Sequence, residues 1–244
     1  MTGSKKARLY PASLDLRGRP VLVVGGGAVA ARKIALLLGA QASVTAVAPE
    51  FDAAFKTLRC WRGAGGTLEE RAQLRQVRRQ FRVSDLNGQS MVLAATGDLA
   101  LNRRIAEQAK RRGVWVNVAA PGEAGNLQVP AALWRGPLCV AVSTSGASAA
   151  LARTVRERLA ETLGPEWGQL ATLLETRRER ILKQSAEPGR RRRLLRRLAE
   201  RRWARLIKQY GPRRVARDMD KLIAKSLRSG QGGSPRRHRG TKQG

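Results

Sequence analysis

Apolar residues in this chain fall first into short unbroken runs and later into stripes spaced by three and four. Pro20-Val21-Leu22-Val23-Val24 is a continuous, mostly β-branched run ending in three glycines, the pattern of a strand covered on both faces of a parallel sheet. Residues 28–38 follow with helical spacing. Residues 42–47 read as a second strand, closed by Ala48-Pro49, where proline ends ladder pairing. Strand, helix and strand in this succession predict a right-handed βαβ unit. From Phe51 to Gly88 the pattern is less regular: a Gly63-Ala64-Gly65-Gly66 break precedes a charged, helix-like piece over 69–80. Clear alternation returns with a strand at 91–95, a helix over 98–112 stopped by Gly113, and a strand at 114–118.

The rhythm then changes. Residues 138–143 form a further apolar run, and Thr144-Ser145-Gly146 leads into a helical stretch in which Leu151, Val155 and Leu159 recur every four residues. Ala199, Trp203, Leu206, Ile207 and Tyr210 make one later stripe, and Val215, Met219, Leu222, Ile223 and Leu227 another. These divisions predict a strand–helix domain over 1–118, a mixed segment over 119–163 and a helical domain over 164–228. Beyond that, 229–244 is a basic tail with nothing to bury and is expected to be disordered.

Charge narrows the set of partners. Lys and Arg number 48 against 18 Asp and Glu, a net charge of +30 that favours polyanions: nucleic acid, anionic lipid or a polycarboxylate. The densest run, Arg190 to Arg193 with Arg196, Arg197, Arg201 and Arg202, lies far from the glycines and reads as a solvated helix face. No aromatic residues interleave with it, which argues against nucleic-acid recognition by base stacking. The first residues contain no apolar core of a signal peptide, and no segment approaches the roughly 18 apolar residues of a membrane span, so a cytoplasmic protein is expected. Cys60 and Cys139 lack ligand spacing and the sole histidine, His238, lies in the tail, so neither a disulfide nor a metal site is expected.

The glycines carry the clearest chemistry. Gly25-Gly26-Gly27-Ala28-Val29-Ala30 fits G-x-G-x-x-A. Gly25 permits the tight turn, Gly27 lets backbone approach a pyrophosphate, and Ala30 permits close helix packing. The helix N-terminus would face the phosphates with its free N–H groups. A glycine-rich turn without a ligand is the alternative, against which the preceding strand and following helix weigh. The acidic residue that usually ends the second strand is missing at Val47-Ala48; Glu50 and Asp52 are the nearest carboxylates, and NAD is favoured over NADP. Arg32 and Lys33 lie in the first turns of the helix, where they could contact phosphate or stand as surface charges.

Together with Tyr10-Pro11, Leu16-Arg17-Gly18-Arg19 and Arg32-Lys33, the glycine loop resembles the precorrin-2 dehydrogenase module of siroheme synthases. The likeness continues in order through Ala48-Pro49-Glu50, Ala94-Ala95-Thr96, Asn102, Asn117-Val118, Pro130-Ala131, Arg135-Gly136-Pro137-Leu138, Ala141 to Thr144, Gly146 and Leu151-Ala152-Arg153. The resemblance implies an α/β fold: a Rossmann-type parallel sheet, then a small α/β dimerisation segment over 119–163 and a helical domain. It also implies a homodimer that oxidises the polycarboxylate tetrapyrrole precorrin-2 to sirohydrochlorin with NAD, with iron chelation as an open second activity. Gly25, Gly26, Gly27, Ala28, Val29, Pro49, Glu50, Thr96 and Asn102 are then the expected cofactor residues. Asn117, Thr144, Gly146 and Arg153 are the expected substrate residues.

One departure bears on mechanism. After the strand ending near Asn117, members of that family carry an aspartate as proposed acid/base group, whereas this chain reads Asn117-Val118-Ala119-Ala120-Pro121. Ala120 stands at the aspartate's position, and a methyl group takes no proton. Removing such a base commonly costs about 10²–10⁴-fold in rate. Glu123 in the same loop is the candidate replacement, and Asn126 is a second polar side chain nearby. Two rivals follow: a tetrapyrrole- or dinucleotide-binding protein without turnover, and a nucleic-acid-binding protein on a Rossmann core, whose binding would weaken steeply with salt.

Overall fold

The computed structural model describes residues 9–58 and 73–228. Cys60, the glycine break at 63–66, the start of the expected 69–80 helix, and the 229–244 tail with His238 lie outside the described residues. The chain divides into two compact units, residues 1–129 with 143–149 and residues 130–142 with 150–244.

The first unit is built on a parallel sheet of five strands in the order β3-β2-β1-β4-β5. These are β1 (Pro20–Val24), β2 (Ser43–Ala48), β3 (Leu74–Arg78), β4 (Met91–Ala94) and β5 (Trp115–Val118). Helix α1 (Ala28–Gly39) follows β1, the short α2 (Ala54–Leu58) follows β2, and α3 (Leu99–Arg111) joins β4 to β5. The unbroken apolar run of β1 has a direct cause. Val21 and Val23 pack with Ala30, Ile34 and Leu38 of α1, while Leu22 and Val24 pack on the other face with Ile105, Ala106 and Ala109 of α3. Asp98 begins α3 as its cap, accepting from the backbone N–H of Ala100 and Leu101 at 2.8 and 3.0 Å. After β3 the chain returns to place β4 beside β1, and this reversal of strand order opens a crevice at the carboxyl ends of β1 and β4.

The helix-like reading of 69–80 is corrected by β3, which pairs in register with β2 from Val44↔Leu74 to Ala48↔Arg78. As an edge strand β3 puts one apolar side chain, Leu74 or Val77, against each core, and Arg75, Gln76 and Arg78 hide the strand period.

In the second unit β6 (Ala131–Arg135) and β7 (Leu138–Val142) form an antiparallel hairpin. The apolar run at 138–143 predicts β7 but not its partner. Helix α4 (Ala149–Thr162) ends on the hairpin's arginine: Arg135 donates to the carbonyls of Leu163 at 2.8 Å and Ala160 at 3.2 Å, satisfying acceptors that a helix C-terminus leaves open. Helices α5 (Pro165–Gln184), α6 (Pro188–Leu198), α7 (Arg201–Tyr210) and α8 (Pro212–Arg228) enclose a core of Leu170, Ile181, Leu194, Leu198, Trp203, Ile207, Val215, Met219 and Ile223. Both later stripes therefore face inward at their centres, while Ala199 and Tyr210 are exposed at the ends of the first. The stripe on α4 differs, with Leu151 54% and Val155 38% exposed.

Candidate functional site

Each of the three glycines after β1 meets a different constraint. Gly25 has φ +131°, and a β-carbon there would overlap the carbonyl of Ala95 at the end of β4. At Gly26 a β-carbon would overlap the carbonyl oxygen of Glu50 beyond β2, and the Gly26 carbonyl in turn accepts from the Asp52 N–H at 2.8 Å. Gly27 is the opposite case: its backbone is extended, and a β-carbon would meet nothing within 4 Å. The turn thus draws the ends of β1, β2 and β4 together and leaves its third glycine facing open space. Gly27 caps α1 without a side chain, and no acidic residue occupies the first turn of that helix. Ala28 and Val29 are exposed beside it and Ala30 is buried, as are Val23 and Val24 below. Free N–H groups, a positive helix end and a bare backbone fit the pyrophosphate of a dinucleotide. Pro49 and Glu50 are exposed where β2 ends, on the adenosine side expected for such a cofactor.

The loops after β4 and β5 are joined by a buried carboxamide. Asn102, in the first turn of α3 and wholly inaccessible, donates to the carbonyls of Thr96 at 3.0 Å and Ala120 at 2.9 Å. Its Oδ1 accepts from the Thr96 N–H at 3.2 Å and from the Thr96 hydroxyl at 2.8 Å. Its bonding capacity is spent inside the protein, so Asn102 shapes the rim of the crevice and Thr96 is the half-buried surface it presents.

Ala120 is exposed at the start of the loop after β5, its carbonyl held by Asn102 and its methyl group unconstrained by that bond. Glu123 lies in a single helical turn, Gly122–Ala124, exposed and without a hydrogen bond or ion pair among the described residues. Asn126 serves the scaffold: its Oδ1 accepts from the Val116 N–H at 2.7 Å, and the N–H groups of Asn126 and Leu127 return to the Val116 carbonyl at 3.0 and 3.1 Å. Asn117, 7% exposed, donates to the Leu127 carbonyl at 3.0 Å and accepts from Lys33 Nζ at 2.7 Å. Arg32 is exposed, while Lys33 beside it turns its ammonium to β5. Burial pulls its ammonium below the usual lysine range, with the neighbouring Arg32 charge adding to the effect.

Thr144 and Gly146 form the turn before α4. The Thr144 hydroxyl accepts from the Ser148 N–H and donates to its carbonyl, both at 3.0 Å. Gly146, at φ +84°, faces the Gln128 amide, whose nitrogen lies 2.9 Å from where a β-carbon would sit. Arg153 is exposed on α4 and belongs to the second unit. Sequence reasoning missed the bonds from Asn102, Asn117 and Lys33 to their partners. Each of these residues was visible as a polar residue, but nothing in the sequence gave its direction.

With this geometry in place, comparison with known proteins is decisive. A family described as NAD(P)-binding matches residues 12–131, and the family described as sirohaem biosynthesis protein central matches 135–162. The solved structure of SirC, precorrin-2 dehydrogenase, superposes with a TM-score of 0.70 at 30% identity, over 87% of this chain and 100% of that one. The chain belongs to the precorrin-2 dehydrogenase family. The siroheme synthase of Methylococcus capsulatus is 38% identical over 182 residues, and that of Neisseria meningitidis serogroup B is 34% identical over 225. These alignments take in 75% and 92% of this chain but 36% and 44% of those proteins, so this family member spans less than half of the siroheme synthases it matches. The α/β Rossmann fold and the helical C-terminal region are thus those of the family.

Proposed function

We propose that this chain oxidises precorrin-2 to sirohydrochlorin with NAD, as a cytoplasmic homodimer. The observation that carries the reading is the likeness to SirC, precorrin-2 dehydrogenase, over 87% of this chain, combined with a glycine turn whose only open position is Gly27. When bound, NAD supplies the acceptor for a hydride. Gly25, Gly26 and Gly27 bring bare backbone to its phosphates, Thr96 and the Ala120 loop border the crevice toward its reactive end, and Thr144, Gly146 and Arg153 are assigned to the tetrapyrrole. A positively charged protein concentrates a polycarboxylate of this kind.

Dehydrogenation releases a proton as well as the hydride, and Ala120 cannot accept it. Glu123 is the carboxylate of the same loop and is assigned that proton, with solvent as the competing acceptor. Alignment of substrate against cofactor supplies much of the acceleration without a base. Dimerisation is assigned to the segment 119–163. Support comes from the exposed apolar side chains on β6 and α4: Trp134 at 59%, Leu151 at 54% and Val155 at 38%. Among the described residues no helix is long and apolar enough to cross a membrane.

Anaerobic incubation with precorrin-2 and NAD, followed by visible absorption, tests the activity, and light scattering at micromolar concentration tests the dimer. NAD-dependent appearance of the sirohydrochlorin spectrum is expected. Tight binding of NAD and tetrapyrrole with no spectral change would make the protein a binding member of the family that lost its chemistry with the aspartate.

A further inference from the structure

The geometry points to Lys33 as a positioning residue that, through Asn117, ties the loop of residues 119–127 to the helix that follows the glycine turn. Lys33 lies on α1, about two turns beyond Gly27, and its side chain leans on the sheet to reach Asn117 on β5. No ion pair among the described residues involves it. A half-buried cation without a carboxylate is costly, and a methionine would fill the same space at no electrostatic cost. What the ammonium supplies that methionine cannot is direction. Lysine only donates, so the Asn117 carboxamide must turn its oxygen toward Lys33 and its N–H toward the Leu127 carbonyl.

That orientation matters because the loop is gripped at both ends by carboxamides. Asn102 holds the Ala120 carbonyl at one end and Asn117 holds the Leu127 carbonyl at the other, while Asn126 and Leu127 pair with Val116 beside it. Ala120 and Glu123 lie between the two grips. Gln128, next in the chain after Leu127, carries the amide that faces Gly146, so the Leu127 grip also sets one wall of the turn at 144–148. Lys33 thereby links the element that receives the cofactor to the loop assigned to the proton.

The turnover arm of the test rests on the dehydrogenase reading; the exchange arm does not. In Lys33→Met, amide hydrogen exchange at Asn126 and Leu127 is expected to quicken by about tenfold while the amides of β1 and β4 keep their rates. NAD affinity by calorimetry stays within about twofold, because the glycine turn is untouched, and kcat falls about ten- to a hundredfold with little change in KM. Lys33→Arg, which keeps a donor, restores most of kcat. Should Lys33→Met fail to fold, Lys33→Leu, which removes the donor and leaves the Asn117 carboxamide in place, carries the same expectations. Unchanged exchange at 126 and 127, or faster exchange throughout the sheet, overturns the proposal. Faster exchange confined to the loop, in a protein that shows no turnover even as the parent, supports the tether and removes the dehydrogenase reading instead.

Discussion

The glycine turn after β1 and the loop after β5 leave the same edge of the sheet, but they are fixed by different means. The turn is fixed by exclusion: at Gly25 and Gly26 the carbonyls of Ala95 and Glu50 occupy the space a side chain would need. The loop is fixed by attachment, with side chains of Asn102 and Asn117 gripping the carbonyls of Ala120 and Leu127. Because the Ala120 end of the loop is held by its carbonyl, the side chains of Ala120 and Glu123 are left structurally unconstrained, unlike Asn126, which serves the scaffold. The replacement that the family resemblance implies, a carboxylate by the methyl of Ala120, is a change of this kind, which the exposed position accommodates whatever it does to the chemistry. The glycine turn has no such latitude at two of its three positions.

Substitutions within the turn should break the comparison most sharply. Gly26→Ala is expected to cost more than about 3 kcal/mol, since the added methyl overlaps backbone that cannot step aside. Gly27→Val, one residue on, should keep the thermal midpoint within roughly 5 °C and yet lose NAD binding, since its side chain would enter only the open space assigned to pyrophosphate. Melting curves with calorimetry separate the two; parental NAD affinity in a folded Gly27→Val protein would detach the cofactor from this turn.

The loop is tested by restoring what it lacks. Ala120→Asp should leave stability unchanged and raise turnover of precorrin-2 by up to about 10²-fold, and Glu123→Gln should lower turnover if Glu123 has taken over the proton. A gain from the first with no loss from the second would assign the proton to solvent in the natural protein. If neither changes rate or pH profile, the loop takes no part in proton transfer.

The smallest effect serves as a control in the same unit, away from both loops. Arg79 pairs with Asp85 through two bonds of 2.8 and 2.6 Å, and this guanidinium holds the Asp85 carboxyl below its ordinary value of 3.8. A carboxyl lowered in the folded state stabilises fully above pH 3.8, and that contribution is lost as pH falls through the lowered value. Asp85→Asn should therefore lower stability only slightly at neutral pH, because solvent screens the pair, and flatten the acid limb of the stability curve. NAD affinity and turnover should match the parent.

How much of this was legible in the sequence follows the same division. Strands β1 and β4 were readable because burial on both faces demands unbroken apolar runs, and Asp98 and Gly113 marked the ends of α3. β3 was misread because an edge strand with Arg75 and Arg78 carries too little apolar alternation, and β6 went unread because Ala131 to Arg135 is short and half-exposed. At the site, Gly25 and Gly27 could be assigned from the motif, whereas the constraint on Gly26 comes from Glu50, a contact made only by the fold. Lys33 was left between a phosphate contact and a surface charge because its position on the helix was known and the reach of its side chain toward Asn117 was not.

The bare N-terminus of α1 has one further consequence. A serine or aspartate at position 27 would satisfy one of the helix's free N–H groups and typically add about 1 kcal/mol of stability, but it would stand where the anion is to lie. By keeping glycine, the chain leaves that end of the helix to be completed by its ligand. If the dinucleotide lies there as proposed, part of the protein's resistance to heat is conditional on its supply: a ligand present at a hundred times its dissociation constant adds about 2.7 kcal/mol. In a cell depleted of the dinucleotide, the same chain would then be the more easily unfolded and degraded, so that its abundance would follow the availability of its proposed ligand.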